Sequence, residues 1–227
     1  MKIIHISDIH LPISIPLFSL SGKMFIGYLN YNLRRKKKYP IEIIFSIIEQ
    51  LKKLEYDCLV ISGDLTNVSS KEEFEKSFEI LSPILNEKTF IIPGNHDRYV
   101  KNAVYPIDLF DEVFGKFTGE KAFQNENIYL RYKKIQDHVF VGWDSNFPNS
   151  FVKATGFVDK KIASLTKTLL KNLGAEKSVI VCHHPIWNPE DKHESIYHRL
   201  INREEIIMEL KEISPIVENL ESDEATS

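Results

Sequence analysis

The chain has 227 residues, 43% of them apolar and 27% charged, and a net charge of -3. That balance suits one globular α/β domain with a substantial core and excludes a broad cationic footprint for nucleic acid. No apolar run is long enough to span a bilayer, and the 2 cysteines, Cys58 and Cys182, lie inside apolar runs that read as buried free thiols rather than a disulfide framework.

In chain order, Lys2 to Ser7, with the apolar run Ile3-Ile4-His5-Ile6 inside it, reads as a first strand. It begins almost at the N-terminus, which leaves no room for a secretory signal pattern, so a cytoplasmic location is expected. Asp8 and His10 follow the strand, and the single residue between them puts both side chains on one side of an extended backbone. His5, inside the strand, reads as a packed core or interface histidine.

Residues 11–40 break the regular pattern. Pro12 and Pro16 interrupt it, Met24 to Leu29 is apolar and aromatic, and Arg34-Arg35-Lys36-Lys37-Lys38 is basic. Two readings stand side by side. One is a surface excursion with a solvated basic end. The other is a lid at the rim of the site, with residues 24–38 meeting a membrane surface or an amphiphilic substrate.

Ile41 to Tyr56 keeps helical spacing through Ile44, Ile47, Ile48, Leu51 and Leu54. Asp57 to Ile61 is a second strand and delivers Gly63-Asp64. Ser70-Lys71-Glu72-Glu73 has the form of a capping box at the head of the next helix. Thr89-Phe90-Ile91-Ile92 is a third strand, ended by Pro93-Gly94 and followed by Asn95-His96-Asp97. A helix is expected over Pro106 to Phe117, and a hairpin from Ile128–Tyr132 and Val139–Val141. Trp143-Asp144-Ser145-Asn146 beyond it stands where substrate contact is one reading, and turn residues at Asp144 and Ser145 are the favoured one. Asp159 and Gly174 bracket a helix carrying Ile162, Leu165, Leu169 and Leu173. Val179-Ile180-Val181 ends at His183-His184-Pro185, with Trp187 expected at the wall of the cleft. Asn202 to Glu205 caps a last helix, and the acidic stretch Val217 to Ser227 reads as a disordered tail. The division expected is one domain over residues 1–213 and a tail over 214–227.

Four apolar strands therefore end in side chains of the metal-binding type. In open α/β sheets, ligands gather beyond the carboxyl ends of the strands. The oxygen and nitrogen donors there, with no thiolate among them, suit manganese, iron or zinc.

Asp8-Ile9-His10, Gly63-Asp64, Gly94-Asn95-His96-Asp97 and His183 stand in the order D-x-H, G-D, G-N-H-D/E and a lone H. In this the chain resembles the calcineurin-like metallophosphoesterase superfamily. Ile61-Ser62-Gly63-Asp64-Leu65-Thr66 and His183-His184-Pro185 are most similar to its cyclic-nucleotide phosphodiesterase-like branch. The resemblance implies a four-layer α-β-β-α sandwich of two mixed sheets. It implies two divalent metal ions, with Asp8 and His10 on the first, Asp64 bridging, and Asn95 and His183 on the second. It implies His96 as general acid, Asp97 orienting His96, and hydrolysis of a small phosphodiester or phosphomonoester by in-line attack of a metal-bound hydroxide.

One element of the family pattern is absent. No Gly-His-x-His occurs, and His193 and His198 do not have its spacing. The expectations that follow are a weak second metal site, missing C-terminal strands, and an exposed sheet edge open to pairing with another chain. The alternative reading is a shortened, catalytically weak member acting as a binding or scaffold module.

Overall fold

The computed structural model describes residues 1–17, 20, 22–32, 40–123, 128–150, 153–187, 195–213 and 217–221. Three short apolar segments, β1 (Ile3–Ile6), β2 (Cys58–Ile61) and β3 (Thr89–Ile91), form a parallel sheet in that spatial order. Their side chains alternate, as strand geometry requires. Leu59, Ile61 and Ile91 face a helical layer made by α2 (Ile41–Leu51), α3 (Lys71–Leu81) and α4 (Leu109–Phe114), where Ile48, Leu51, Phe74, Leu81, Phe110 and Phe114 are buried. Cys58, Val60, Phe90 and Ile92 face the other way, onto Phe140, Val179 and Val181 of a second sheet.

That second sheet runs β4 (Glu120–Lys121), β5 (Leu130–Ile135), β6 (His138–Trp143), β7 (Lys177–Cys182) and β8 (Val217–Glu221). Its first two pairings are antiparallel and its last two parallel. Val139, Val141, Trp143, Ile180 and Cys182 point outward into a layer formed by α5 (Lys160–Leu173) and α6 (Arg203–Ile213). The four layers are those the resemblance implies. Among the described strands, the mixed pairing is confined to the second sheet.

Local signals behave as chemistry predicts. Ser70 Oγ accepts from Glu73 N at 3.1 Å while the Glu73 carboxylate accepts from Ser70 N at 3.1 Å, closing the capping box. Asp159 caps α5, and Gly174 ends it at φ 58, in the left-handed region. Two expectations shift. The helix expected to reach Tyr56 stops at Leu51, and Leu54, the last residue of the helical spacing, is left exposed because no neighbouring layer covers it. Residues 217–221, placed in the disordered tail, form β8 along the edge of β7. Their side chains lack period-two alternation, but strand pairing rests on main-chain hydrogen bonds and needs none. No described helix is long and apolar enough to cross a membrane.

The excursion after β1 is partly built in. Leu11, Ile13 and Ile15 are buried, and α1 (Gly22–Asn30) buries Tyr28 while Phe25, Ile26 and Leu29 remain exposed. The basic run 34–38 lies outside the described residues.

Strand register places the site. Ile6 lies opposite Ile61, and Ile61 opposite Ile91, so the turns leaving β1, β2 and β3 emerge at one edge. Trp143 lies opposite Cys182, which brings Asp144 and His183 out together on the second sheet.

Candidate metal centre

The turns at that edge are tight enough to exclude side chains. Asp8, His10 and Asp64 hold left-handed backbones with φ of 52, 42 and 56. Such conformations strain residues with a Cβ and collect at functional sites. Gly63 is at φ 95, and a Cβ there would strike the main chain of Gly94; a Cβ on Gly94 would strike the Asp64 carboxylate. The glycines let the turn after β2 touch the turn after β3.

Two histidines share one arrangement. His183 Nδ1 lies 2.9 Å from Ser62 O, and His10 Nδ1 lies 3.3 Å from Thr66 O. A carbonyl only accepts, so each Nδ1 carries the proton and each Nε2 is left as an acceptor in the neutral ring. Those Nε2 atoms face Asp64, at 3.4 Å from His10 and 3.5 Å from His183. His183 Nε2 also lies 2.9 Å from Asn95 Oδ1. Two acceptors aimed at one another across a carboxylate make a site for a cation. A ring N–H held by a main-chain carbonyl is the usual support of a metal-binding imidazole.

Asp8, Asp64 and His183 form one cluster of donor atoms within 4.8 Å of one another, and His10, Asp64 and His96 form another. Asp64 belongs to both. By distance alone, Asp8 groups with His183 and His10 with His96. Burial pushes the Asp64 carboxyl well above the usual carboxylate range; His183 opposes this, and the carboxylates of Asp8 and Asp97 add to it. For His183 burial opposes charge, but the Asp64 and Asp8 carboxylates outweigh it and raise its pKa. The ion pairs of Asp64 among the described residues are with these histidines, not with Lys or Arg. A buried carboxylate beside a half-buried one, backed by imidazoles, fits a divalent cation.

His96 is held separately. Its main-chain N donates to Asp64 Oδ1 at 2.8 Å, and its Nδ1 donates to Asn67 O at 2.6 Å. Asp97, expected to orient His96, is used elsewhere. Its carboxylate accepts from Leu65 N at 3.1 Å, Thr66 N at 3.0 Å, Thr66 Oγ1 at 2.9 Å and Gly94 N at 2.9 Å. Four donors leave no capacity for the next-door imidazole. Asp97 fixes the two turns, and Asn67 orients the ring.

His184 has both ring nitrogens engaged, Nδ1 with Ser145 Oγ at 2.7 Å and Nε2 with Ala154 O at 2.8 Å. His183 is accordingly the histidine turned to the site. His5 Nε2 lies 2.8 Å from Ser62 Oγ, and burial lowers its pKa.

Sequence reasoning missed several contributors. Asp144 does make a turn, accepting from Asn146 N at 2.9 Å, but its other oxygen accepts from Arg98 Nε at 3.0 Å. Arg98 is 2% exposed and also meets Asp108 at 2.5 Å. Its one local signal is its place directly after Asp97. Glu73 is fully buried and accepts from Asn67 N at 2.9 Å and Val68 N at 3.0 Å, which fixes the carbonyl used by His96. The capping-box motif was the signal for it. Beside His96 opens a cavity of about 290 Å³ lined by Lys23, Tyr31, Asn67, Asn95, Tyr99 and Lys153 among others. Trp187 is 42% exposed and is not part of that lining. His193 lies outside the described residues, and His198 lines the cavity without joining either donor cluster.

The family model for calcineurin-like phosphoesterases matches residues 1–208. Over 118 residues the chain is 27% identical to the DNA double-strand break repair protein Mre11 of Methanopyrus kandleri, a match covering 50% of this chain and 23% of that one. Purple acid phosphatase PPD1 from yellow lupin (Lupinus luteus) seeds superposes with a TM-score of 0.47 at 10% identity, over 88% of this chain and 34% of that one. A further crystal structure superposes with a TM-score of 0.51 at 14% identity, over 98% of this chain and 83% of that one, which bears on the fold alone. The chain spans about a quarter of the archaeal protein's length and about a third of the plant enzyme's.

Proposed function

The chain belongs to the calcineurin-like phosphoesterase family and so to the metal-dependent phosphoric ester hydrolases, and from that premise we propose that it hydrolyses a small phosphodiester or phosphomonoester at the Asp64 cluster. One observation carries the reading. His10 and His183 each donate Nδ1 to a main-chain carbonyl and turn Nε2 toward the same buried carboxylate. Asp8, His10, Asp64, Asn95 and His183 would hold two divalent ions, with Asp64 shared. Manganese, iron and zinc all match these oxygen and nitrogen donors. Ions bound there supply charge neutralisation for the phosphoryl group and acidify water near neutral pH.

The chain's own residues do the rest. Asp8 and Asp64 set the negative charge that selects cations. His96, with Nδ1 held by Asn67 O, would as an imidazolium give its Nε2 proton to the leaving oxygen. Asp97 keeps the turns after β2 and β3 in contact, so the donors stay in register.

Hydrolysis of bis(p-nitrophenyl) phosphate with and without added manganese tests this, with His96→Ala and Asp64→Asn as controls. Metal-dependent turnover lost in Asp64→Asn is expected, with His96→Ala cutting the rate by about 10²-fold or more on an alkyl phosphoester and far less on the p-nitrophenyl one. Folded chain that takes up manganese and shows no turnover on diester or monoester would reject the reading and favour the binding-module alternative.

A further inference from the structure

We propose that Lys23 and Tyr99 are positioning residues for His96, and that α1 is a fixed wall of the site whose ammonium locks the imidazole in place. The proposal rests on the reading of His96 as proton donor.

His96 is fixed at one atom by the hydrogen bond from Nδ1 to Asn67 O. That bond lies at the edge of the ring and leaves its faces to other contacts. The plane is set by Tyr99, whose ring stacks on His96 with centroids 5.7 Å apart and planes 8° from parallel. On another side His10 meets the His96 ring edge-on at 4.8 Å. Tyr99 can hold a plane only if it is held itself.

Lys23 does that with three contacts from one nitrogen. Its Nζ donates to Tyr99 O at 2.9 Å and to Asn149 O at 2.9 Å, and lies 3.7 Å from the centroid of the Tyr99 ring. The helix that carries Lys23 comes this close because of Gly27, where a Cβ would stand 2.6 Å from Tyr99 Oη. Burial lowers the Lys23 pKa to about 8, as expected for an ammonium committed to the protein rather than to water. Lys23, Gly27, His96 and Tyr99 all line the same cavity, so the clamp sits where a leaving group would lie.

General acid catalysis matters most for poor leaving groups. Alkyl alkoxides need the proton and p-nitrophenolate hardly does. In the manganese-supplemented chain, Lys23→Met and Tyr99→Leu should lower kcat on an alkyl phosphoester by about tenfold, with p-nitrophenyl phosphoester turnover changed by less than about twofold. The KM should hold, Lys23→Arg should recover the alkyl rate, and Lys23→Met added to His96→Ala should cost nothing further. A second readout needs neither metal nor turnover. The His96 Cε1 proton resonance of the metal-free chain should move downfield in Tyr99→Leu and in Lys23→Met, as the ring leaves the aromatic face.

Equal losses on both esters, or a His96 resonance unmoved by Lys23→Met, overturn the proposal. If His96→Ala itself lowers both esters equally, the proton-donor reading falls instead. The resonance then still decides whether Lys23 and Tyr99 hold the ring.

Discussion

The Asp97 carboxylate accepts both the main-chain N–H of Thr66, at 3.0 Å, and its hydroxyl, at 2.9 Å. It also takes Gly94 N at 2.9 Å, so one buried side chain ties the turn after β2 to the turn after β3. Burial raises its pKa, while the hydrogen bonds from Gly94 and Thr66 pull the other way. Asp97→Asn would set an amide against main-chain donors. Hydrogen bonds to charged groups contribute roughly 1.5–3 kcal/mol each, so a loss of about 3 kcal/mol is expected. In a chain of this size that is a fall in Tm of roughly 10 °C, readable by calorimetry. An unchanged Tm would show that Asp97 does not organise these turns.

Gly63 is the tightest point of the same arrangement. A Cβ there would meet Gly94 backbone, which cannot rotate away as a side chain can, and φ is 95. Gly63→Ala should destabilise by more than about 3 kcal/mol and separate the two turns. Gly115→Ala is the comparison, because a Cβ at Gly115 meets nothing within 4 Å. Similar melting of the two variants would refute the close-approach argument.

Asp64 is a buried carboxylate beside Asp8 and Asp97, an arrangement that costs stability until a cation offsets the charge. Asp64→Asn keeps the shape and removes a charge. The metal-free variant should melt higher than the unaltered chain, and the rise in Tm on adding manganese should vanish. Asp8→Asn should leave part of that response, because Asp8 belongs to one donor cluster and Asp64 to both. A metal-free Asp64→Asn that melts lower than the unaltered chain would contradict this.

Glu73 gives a pH signature. Burial pushes its carboxyl up to about 7, against hydrogen bonds from Asn67, Val68 and Ser70 that pull it down. A raised acid binds its proton more tightly folded than unfolded. Between about pH 4.5 and 7 the folded state thus holds more protons, and this group's contribution falls as pH rises through that window. The loss is complete above pH 7 and on the order of 3 kcal/mol. Glu73→Gln removes the titration. The stability difference between the unaltered chain and Glu73→Gln, from urea melts, should shrink steadily from pH 4.5 to 7. A difference that is flat across that range would count against a buried, proton-binding Glu73.

Much of the centre was legible in the chain itself. The apolar runs before Asp8, Asp64, Asn95 and His183 end at Gly, Pro and polar residues, and such punctuation arises within a few residues of sequence. The same is true of the Ser70–Glu73 capping box and the left-handed stop at Gly174. These signals are local because backbone hydrogen bonding and φ preference are local.

What only the folded chain decided depends on contacts between distant segments. Lys23 reaches Tyr99 across 76 positions, and Arg98 reaches Asp144 across 46. No periodicity or motif encodes such pairs, since each exists only after the layers have packed. Asp97 and His96 show the same divide at close range. Adjacent in sequence, they were expected to pair, but the carboxylate found better donors on the turn after β2 and the imidazole found a carbonyl there. Residues 217–221 make the point for the main chain: their side chains carry no strand pattern, and the unpaired edge of β7 supplies the hydrogen bonds that make them one. Sequence alone determined which side chains stand at the strand ends; the meeting of two sheets determined which atoms of those side chains face one another.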